Sequence, residues 1–275
     1  MFQLMVMDMK YLCFVAMIVC CCSGQIAFCE QTPTLSSTEN RDPELSAWHD
    51  KALSAVKSGE LFRARKQYLE LIAKFPNAPD VNGFQKELWD VNIAIIHSPL
   101  KSRQTEIYTI EKGDTLGKIA RKIGTTIELI KRRNQMETHT IINGHKLSIW
   151  KGTFNILIDK SENILTLKTG DEVIKKYQVS TGKNNSSPVG QFVIKYRYEH
   201  PVWFHKGEVV PADDPKNFLG TRWLGFNLPK YGIHGTIEPE HIGKQVSSGC
   251  IRMRNEDVQE LYDLIPLGTA VTIQD

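Results

Sequence analysis

From Glu44 to His97 the apolar residues recur at three- and four-residue spacings: Ala52, Leu53 and Val56, then Leu61, Ala64, Tyr68, Leu71, Ile72 and Phe75. That period predicts helices that each bury one face. Gly59 separates the first two, Pro76 and Pro79 close the second, and a third runs from about Asp80 to Ile96. Ser98 to Thr105 reads as a linker. In the next segment Tyr108 and Ile110 alternate as a strand, and Gly113-Asp114-Thr115 makes a turn whose Asp or Thr can cap a helix. Leu116, Ile119, Ala120 and Ile123 form the face of that helix, Ile127, Leu129 and Ile130 belong to another, and Gly144 precedes a closing strand. Beyond Thr153 the period drops to two, in Phe154-Ile156-Ile158, Ile164 to Lys168, Glu172 to Val179, Gln191 to Tyr196 and Thr269 to Ile273. These are strands, with turns at Lys168–Asp171 and Thr181–Asn185 and one helix at Asn255–Leu264.

The expected architecture is therefore multidomain α+β. A segment 1–29 is followed by a linker 30–43, a helical region 44–98, a small strand-helix-helix-strand module 106–150 and a mostly-β domain 153–274. With 275 residues the chain exceeds one average domain, and 41% hydrophobic against 24% charged residues makes it globular. A net charge of +3 is too small to argue for nucleic acid but suits work beside an anionic polymer or membrane surface. Lys131-Arg132-Arg133 reads as a solvated helix face. At the start, Lys10 precedes the uncharged apolar run Tyr11 to Cys22, the pattern of an export signal. Segment 1–29 is either cleaved or kept as a membrane anchor, with acylation on one of Cys20 to Cys22 as a third reading, and it is the only part expected to meet a membrane.

Cysteine usage sharpens this picture. Five of the six cysteines lie in the first thirty residues, which leaves Cys250 without a partner for a disulfide. It sits in Ser247-Ser248-Gly249-Cys250-Ile251-Arg252, sixteen residues after the histidine of Tyr231-Gly232-Ile233-His234-Gly235-Thr236. A thiolate is a strong nucleophile, and an imidazole can take its proton and later return it to a leaving amine. Gly235 lets backbone approach His234, and its carbonyl can orient the other ring nitrogen. The amides of Gly249 and Cys250 are candidates for an oxyanion hole. Ser247 can hold the loop or contact substrate, and Ser248 is a second candidate contact. Arg252, two residues on, projects to the same side if the segment is extended, where it can grip a substrate carboxylate or pair with Glu256 or Asp257. Trp203, Phe204, Trp223, Phe226 and Tyr231 are candidates to line a groove or to pack as aromatic core. His200 and His205 lack a third ligand, so no metal is expected, and His241 reads as a loop residue.

Three resemblances follow from these residues. Tyr108-Thr-Ile110-x2-Gly113-Asp114-Thr115-Leu116-x2-Ile119-Ala120, Thr126-x2-Leu129-x4-Asn134 and Ile142-x-Gly144-x2-Leu147 resemble the LysM family, which implies a βααβ fold and the N-acetylglucosamine backbone of peptidoglycan or chitin as ligand. The positions matching its groove are Gly113, Asp114, Thr115, Ile141, Ile142 and Asn143. Val179-Ser-Thr181-Gly182-Lys183-x4-Pro188-x-Gly190-x-Phe192, Ile233-His234-Gly235-Thr236 and Ser247-x-Gly249-Cys250-Ile251-Arg252-Met253 resemble the L,D-transpeptidase catalytic domain, also called YkuD-type. Many members carry His where this chain has Ser248. The run Lys57 to Pro76 is similar to one tetratricopeptide-type hairpin, which implies a protein partner for the helical region; a plain hairpin packed on its neighbours fits the same pattern.

The transpeptidase resemblance implies an exported wall enzyme acting on peptidoglycan stem peptides, with Cys250 nucleophile, His234 base, D-alanine released, no cofactor and acylation by carbapenems. Transfer to water, making an L,D-carboxypeptidase or cysteine amidase, or to a protein amine remains open. So does a wall-binding scaffold with an inert thiol.

Overall fold

The computed structural model describes residues 42–205 and 207–275; the expected export signal of segment 1–29 and most of the first linker lie outside them. The helical region starts at Pro43, whose fixed φ suits a first helical turn, with the Asp42 carboxylate accepting from the Glu44 amide at 2.9 Å. Three helices follow, α1 (Pro43–Lys57), α2 (Leu61–Lys74) and α3 (Val81–His97). Gly59 turns the chain between the first two at φ +75°. Ala52, Ala55, Ala64, Tyr68, Leu71, Phe84 and Leu88 form a core of their own.

The third helix fits the reading of a plain hairpin packed on its neighbours. Its far end, Ile93 and Ile96, belongs to the main core of the β domain, and Asn92 donates to Ile174 O at 3.0 Å. The chain's own sheet thus covers this face of the helical region.

The next module is β1 (Thr105–Thr109), α4 (Leu116–Ile123), α5 (Ile127–Arg133) and β2 (Lys146–Trp150), with β1 and β2 antiparallel. Thr115 caps α4, accepting from Lys118 N at 3.2 Å, and Thr126 caps α5 from Leu129 N at 2.9 Å. Tyr108, Ile110, Leu116, Ile119, Ala120, Ile130, Leu147 and Ile149 fill its core. Asn134 ties α5 to β2 by exchanging bonds with both backbone groups of Ser148 at 2.8 Å.

Within the basic run 131–133 Arg132 is exposed, but Arg133 is not part of a solvated face. Arg133 is fully buried; its guanidinium donates to Ile96 O of α3, to Thr105 Oγ1 at 3.2 Å and to Ser148 Oγ at 3.1 Å. Burial lowers its pKa to about 10, so it stays charged at neutral pH. Arg132 Nε donates to Asp263 Oδ2 at 2.7 Å, across to the β domain. Hydrophobic periodicity alone placed these residues outside; five donors in a fixed fork let Arg133 satisfy carbonyls and hydroxyls where several elements meet. With Leu129 and Trp150 also in the main core, the small module is packed into the same body as the β domain.

The β domain runs β3 (Phe154–Asp159), β4 (Ile164–Thr169), β5 (Glu172–Gln178), β6 (Thr181–Gly182), β7 (Gly190–Glu199), β8 (Trp203–His205), β9 (Glu208–Val210), β10 (Arg222–Phe226), β11 (Gly232–His234), β12 (Gln245–Ser247), β13 (Ile251–Arg252), α6 (Asn255–Leu264) and β14 (Ala270–Gln274). Eight strands make one sheet in the order β13-β11-β10-β7-β14-β3-β4-β5. Within it β3 and β14 are parallel, as are β11 and β13. Two pairs stand apart, the β8–β9 hairpin and the parallel β6–β12 pair. Val258, Leu261 and Leu264 of α6 are fully buried in the main core with Leu224, Ile233 and Ile251 of the sheet. The other face of β10, β11 and β13 carries the site.

Candidate active site

Strand β11 brings His234 to the end of the sheet. Its register sets Trp223 of β10 opposite His234 on one side and Arg252 of β13 on the other. Opposed residues point to the same face, so the three side chains share one surface. The His234 ring is 4% exposed, stacked on Trp223 with centroids 5.6 Å apart and planes 21° apart. Nδ1 lies 2.7 Å from Gly235 O, which only an Nδ1–H donor satisfies, so Nε2 is the bare, basic nitrogen. Desolvation lowers the pKa of His234 to about 4 against the opposing effect of the Gly235 bond, with the Arg252 charge adding to the depression. The imidazole is neutral at pH 7.

Gly235 has no side chain because Asn255 stands there: a Cβ would fall 2.1 Å from Asn255 Oδ1. Asn255 Oδ1 accepts from Thr221 N at 3.1 Å and its Nδ2 donates to Thr236 O at 2.9 Å. The first residue of α6 therefore clamps the loop after His234, a role with no sequence signal because its partners are backbone groups 19 and 34 residues away.

Cys250 is half-buried just before β13. Its thiol donates to Lys230 O at 3.3 Å. Lys230 sits at φ +72° after Pro229, the third position of a turn closed by Tyr231 N on Leu228 O at 3.3 Å. A non-glycine residue there is strained, and the strain aims a carbonyl at the sulfur. Burial raises the thiol's pKa; the Gly232 backbone amide and the Arg252 charge pull it back down. Thiol and imidazole thus rest as a neutral pair.

Gly249 is at φ +122°, and a Cβ would fall 2.7 Å from Cε1 of Tyr231, whose half-buried ring covers this loop. Ser247 is buried and holds the loop: Oγ accepts from Gly249 N at 3.0 Å and donates to Cys250 O at 2.6 Å. This corrects one expectation. The Gly249 amide is taken by Ser247, so it does not serve with that of Cys250 as an oxyanion donor in this state. Ser248 is exposed at the tip.

Arg252 pairs with neither Glu256 nor Asp257. Nη1 donates to Glu238 Oε2 at 3.2 Å, and the guanidinium lies over the Phe218 ring at 5.6 Å. Glu238 also faces His241 Nδ1 at 3.0 Å. Glu238 comes from the loop after β11 and Phe218 from the segment before β10, neither of which the order of the sequence places beside β13.

Among the aromatics, Phe226 is core, stacked on Phe192 at 5.5 Å. Trp203 packs edge-on against Phe218 at 5.5 Å, while Phe204 is 76% exposed on the β8–β9 hairpin. In the small module, Asp114 Oδ2 accepts from Tyr108 OH and Glu111 N, both at 2.9 Å, and Thr115 Oγ1 is the α4 cap. Both side chains are spent on the fold. Gly113, Ile142 and Asn143 are exposed and Ile141 half-buried.

A cysteine just before β13 and a neutral histidine on the adjacent β11, with an arginine on the same face as the histidine, define an acyl-transfer site of the thiol type. The family model of the L,D-transpeptidase catalytic domain (YkuD) matches residues 153–273, and that of the LysM domain matches 108–150. Two Bacillus subtilis proteins that carry L,D-transpeptidase names are similar: YqjB, 39% identical over 44% of this chain and 70% of its own length, and YkuD, 33% identical over 60% of this chain and 97% of its own. YkuD of Bacillus licheniformis is 32% identical over 61% of this chain and 98% of its own. The chain belongs to the YkuD-type L,D-transpeptidases, a family of cysteine transpeptidases, and carries a LysM domain ahead of the catalytic one.

Proposed function

We propose that the protein crosslinks peptidoglycan outside the cytoplasm by joining the third-position diamino acids of two stem peptides through a thioester on Cys250. The observation that carries this is the fixed tautomer of His234: with Nδ1–H held by Gly235 O, Nε2 is left to accept the thiol proton. Sulfur attacks the carbonyl between the L-centre of the diamino acid and the terminal D-alanine. The C–N bond breaks, His234 returns the proton to the departing amine, and D-alanine leaves. The side-chain amine of a second stem then attacks the thioester, gives its proton to His234 and regenerates the thiol. The Cys250 amide is the candidate oxyanion donor. Arg252 recognises a carboxylate of the donor in place of Glu238.

The LysM domain holds the glycan through exposed backbone at Gly113 and residues 141–143, since the Asp114 and Thr115 side chains are engaged. Because that domain is packed into the catalytic body, it presents the chain to the thiol from a set direction as well as raising its local concentration.

The test is mass spectrometry of products from purified disaccharide-tetrapeptides. Third-to-third dimers and free D-alanine are expected from the wild type and neither from Cys250→Ala, with His234→Ala nearly inactive. Imipenem should leave one adduct, absent in Cys250→Ala. Tripeptide and D-alanine without dimers would mean that water is the acceptor, and turnover by Cys250→Ala would sink the assignment.

A further inference from the structure

The open face of the sheet continues beyond the thiol and imidazole. Opposite Trp223 on its other side lies Tyr198 of β7, and opposite Gly225 lies Tyr196. Between Ile194, which pairs with Phe226, and Tyr196, which pairs with Gly225, β7 carries one residue more than β10, a bulge at Lys195. Ile194 is buried in the core. The extra residue reverses the alternation, so that Arg197 turns inward onto the Tyr262 ring of α6 at 4.0 Å and Tyr196 and Tyr198 turn outward.

These two tyrosines are 43% and 54% exposed, side by side with centroids 6.3 Å apart and planes within 14°. The Trp223 indole lies down over two glycines: a Cβ at Gly225 would meet its Nε1 at 2.5 Å, and one at Gly232 its Cζ2 at 3.0 Å. Gly232 lies two residues before His234 on β11. The row Tyr196, Tyr198, Trp223, His234 is thus continuous from solvent to the reacting atoms. Lys195 Nζ stands 5.5 Å from the Tyr196 ring centre, a donor beside an aromatic face.

We propose that Tyr196, Tyr198 and the outer edge of Trp223 form a glycan subsite within the catalytic domain, on which an N-acetylated sugar of the donor rests while its stem reaches Cys250. The proposal rests on the transfer reading above and adds a part of the substrate that the thiol itself does not read. A pyranose ring offers a flat CH face to an aromatic ring and hydroxyl and acetamido oxygens to a neighbouring ammonium. The stem, built of small and charged residues without a ring, offers no such face. Both tyrosines lie outside the hydrophobic core, on the face that holds the thiol.

The experiment compares two donors, the disaccharide-tetrapeptide and the sugar-free tetrapeptide, with the wild type and the Tyr196→Ala/Tyr198→Ala double variant. Exposed side chains make this variant compatible with folding. Its KM for the sugar-bearing donor, relative to that for the free peptide, should rise about tenfold, with Tyr196→Phe/Tyr198→Phe close to wild type. An equal rise on both donors, or none on either, overturns the subsite. A wild type inactive on both donors overturns the transfer reading instead. The subsite is then decided by ring 13C shifts of Tyr196 and Tyr198 during titration with the N-acetylglucosaminyl-N-acetylmuramyl disaccharide: movement of both supports it, and fixed shifts refute it.

Discussion

Acidification through the range where an ordinary histidine titrates should leave acylation nearly unchanged, because His234 holds its neutral form down to about pH 4. The cause is burial: the ring is 4% exposed, sandwiched against Trp223, with Arg252 opposite. A gap from 6.5 to about 4 corresponds to roughly 3 kcal/mol against protonating the folded state. The unfolded chain protonates first, so between those values it holds more protons than the folded one. Folding stability from this group is therefore complete above pH 6.5, declines as the pH falls, and is lost below about 4. Acylation by imipenem, followed by stopped flow at constant ionic strength, should be flat from about pH 8 to 5 and half-maximal near 4. Denaturant midpoints of the wild type, set against His234→Asn over the same range, separate this group from the carboxylates that titrate alongside it. A half-maximum near 6.5, or a midpoint difference that does not change between pH 6.5 and 4, would exclude a neutral, buried His234 as the base.

Ser247→Ala leaves the buried Gly249 amide without its acceptor; it should cost about 1–3 kcal/mol in urea unfolding and slow acylation without changing which donor is used. Glu238→Gln, by weakening the hold on Arg252 Nη1, should lower the donor KM several-fold, whereas Arg252→Ala should raise it while iodoacetamide still labels Cys250; steady-state kinetics on tetrapeptide decides both. Arg133→Met strips donors from Ile96 O, Thr105 and Ser148 at once and should destabilise the protein by about 3 kcal/mol, read by calorimetry as a lower midpoint or as separate transitions of the LysM and catalytic parts.

Much of this architecture is local, and local patterns are legible. The LysM elements, the strands β3, β4, β5, β7 and β14 and the helix α6 each repeat a period over enough residues to declare their type, with caps and turns at Thr115, Thr126 and Gly170 to bound them. Cys250 and His234 were legible for a chemical reason: a thiol with no partner and a histidine followed by a glycine offer a nucleophile and a base whatever the fold. The short strands β8 to β13, two to five residues each, carry no period and exist only because neighbouring strands pair with them. Partners decided the rest. Glu238 took Arg252 in place of Glu256 or Asp257, Ser247 claimed the Gly249 amide, and Arg133 went inside because carbonyls and hydroxyls from three segments converged on its five donors. The aromatic row depends on one extra residue at Lys195, which flips Tyr196 and Tyr198 to the face that holds the thiol. Sequence determines what a segment prefers through contacts three or four residues apart; which face meets which partner is set by strand register and by packing between distant segments, and those form only when the whole sheet does.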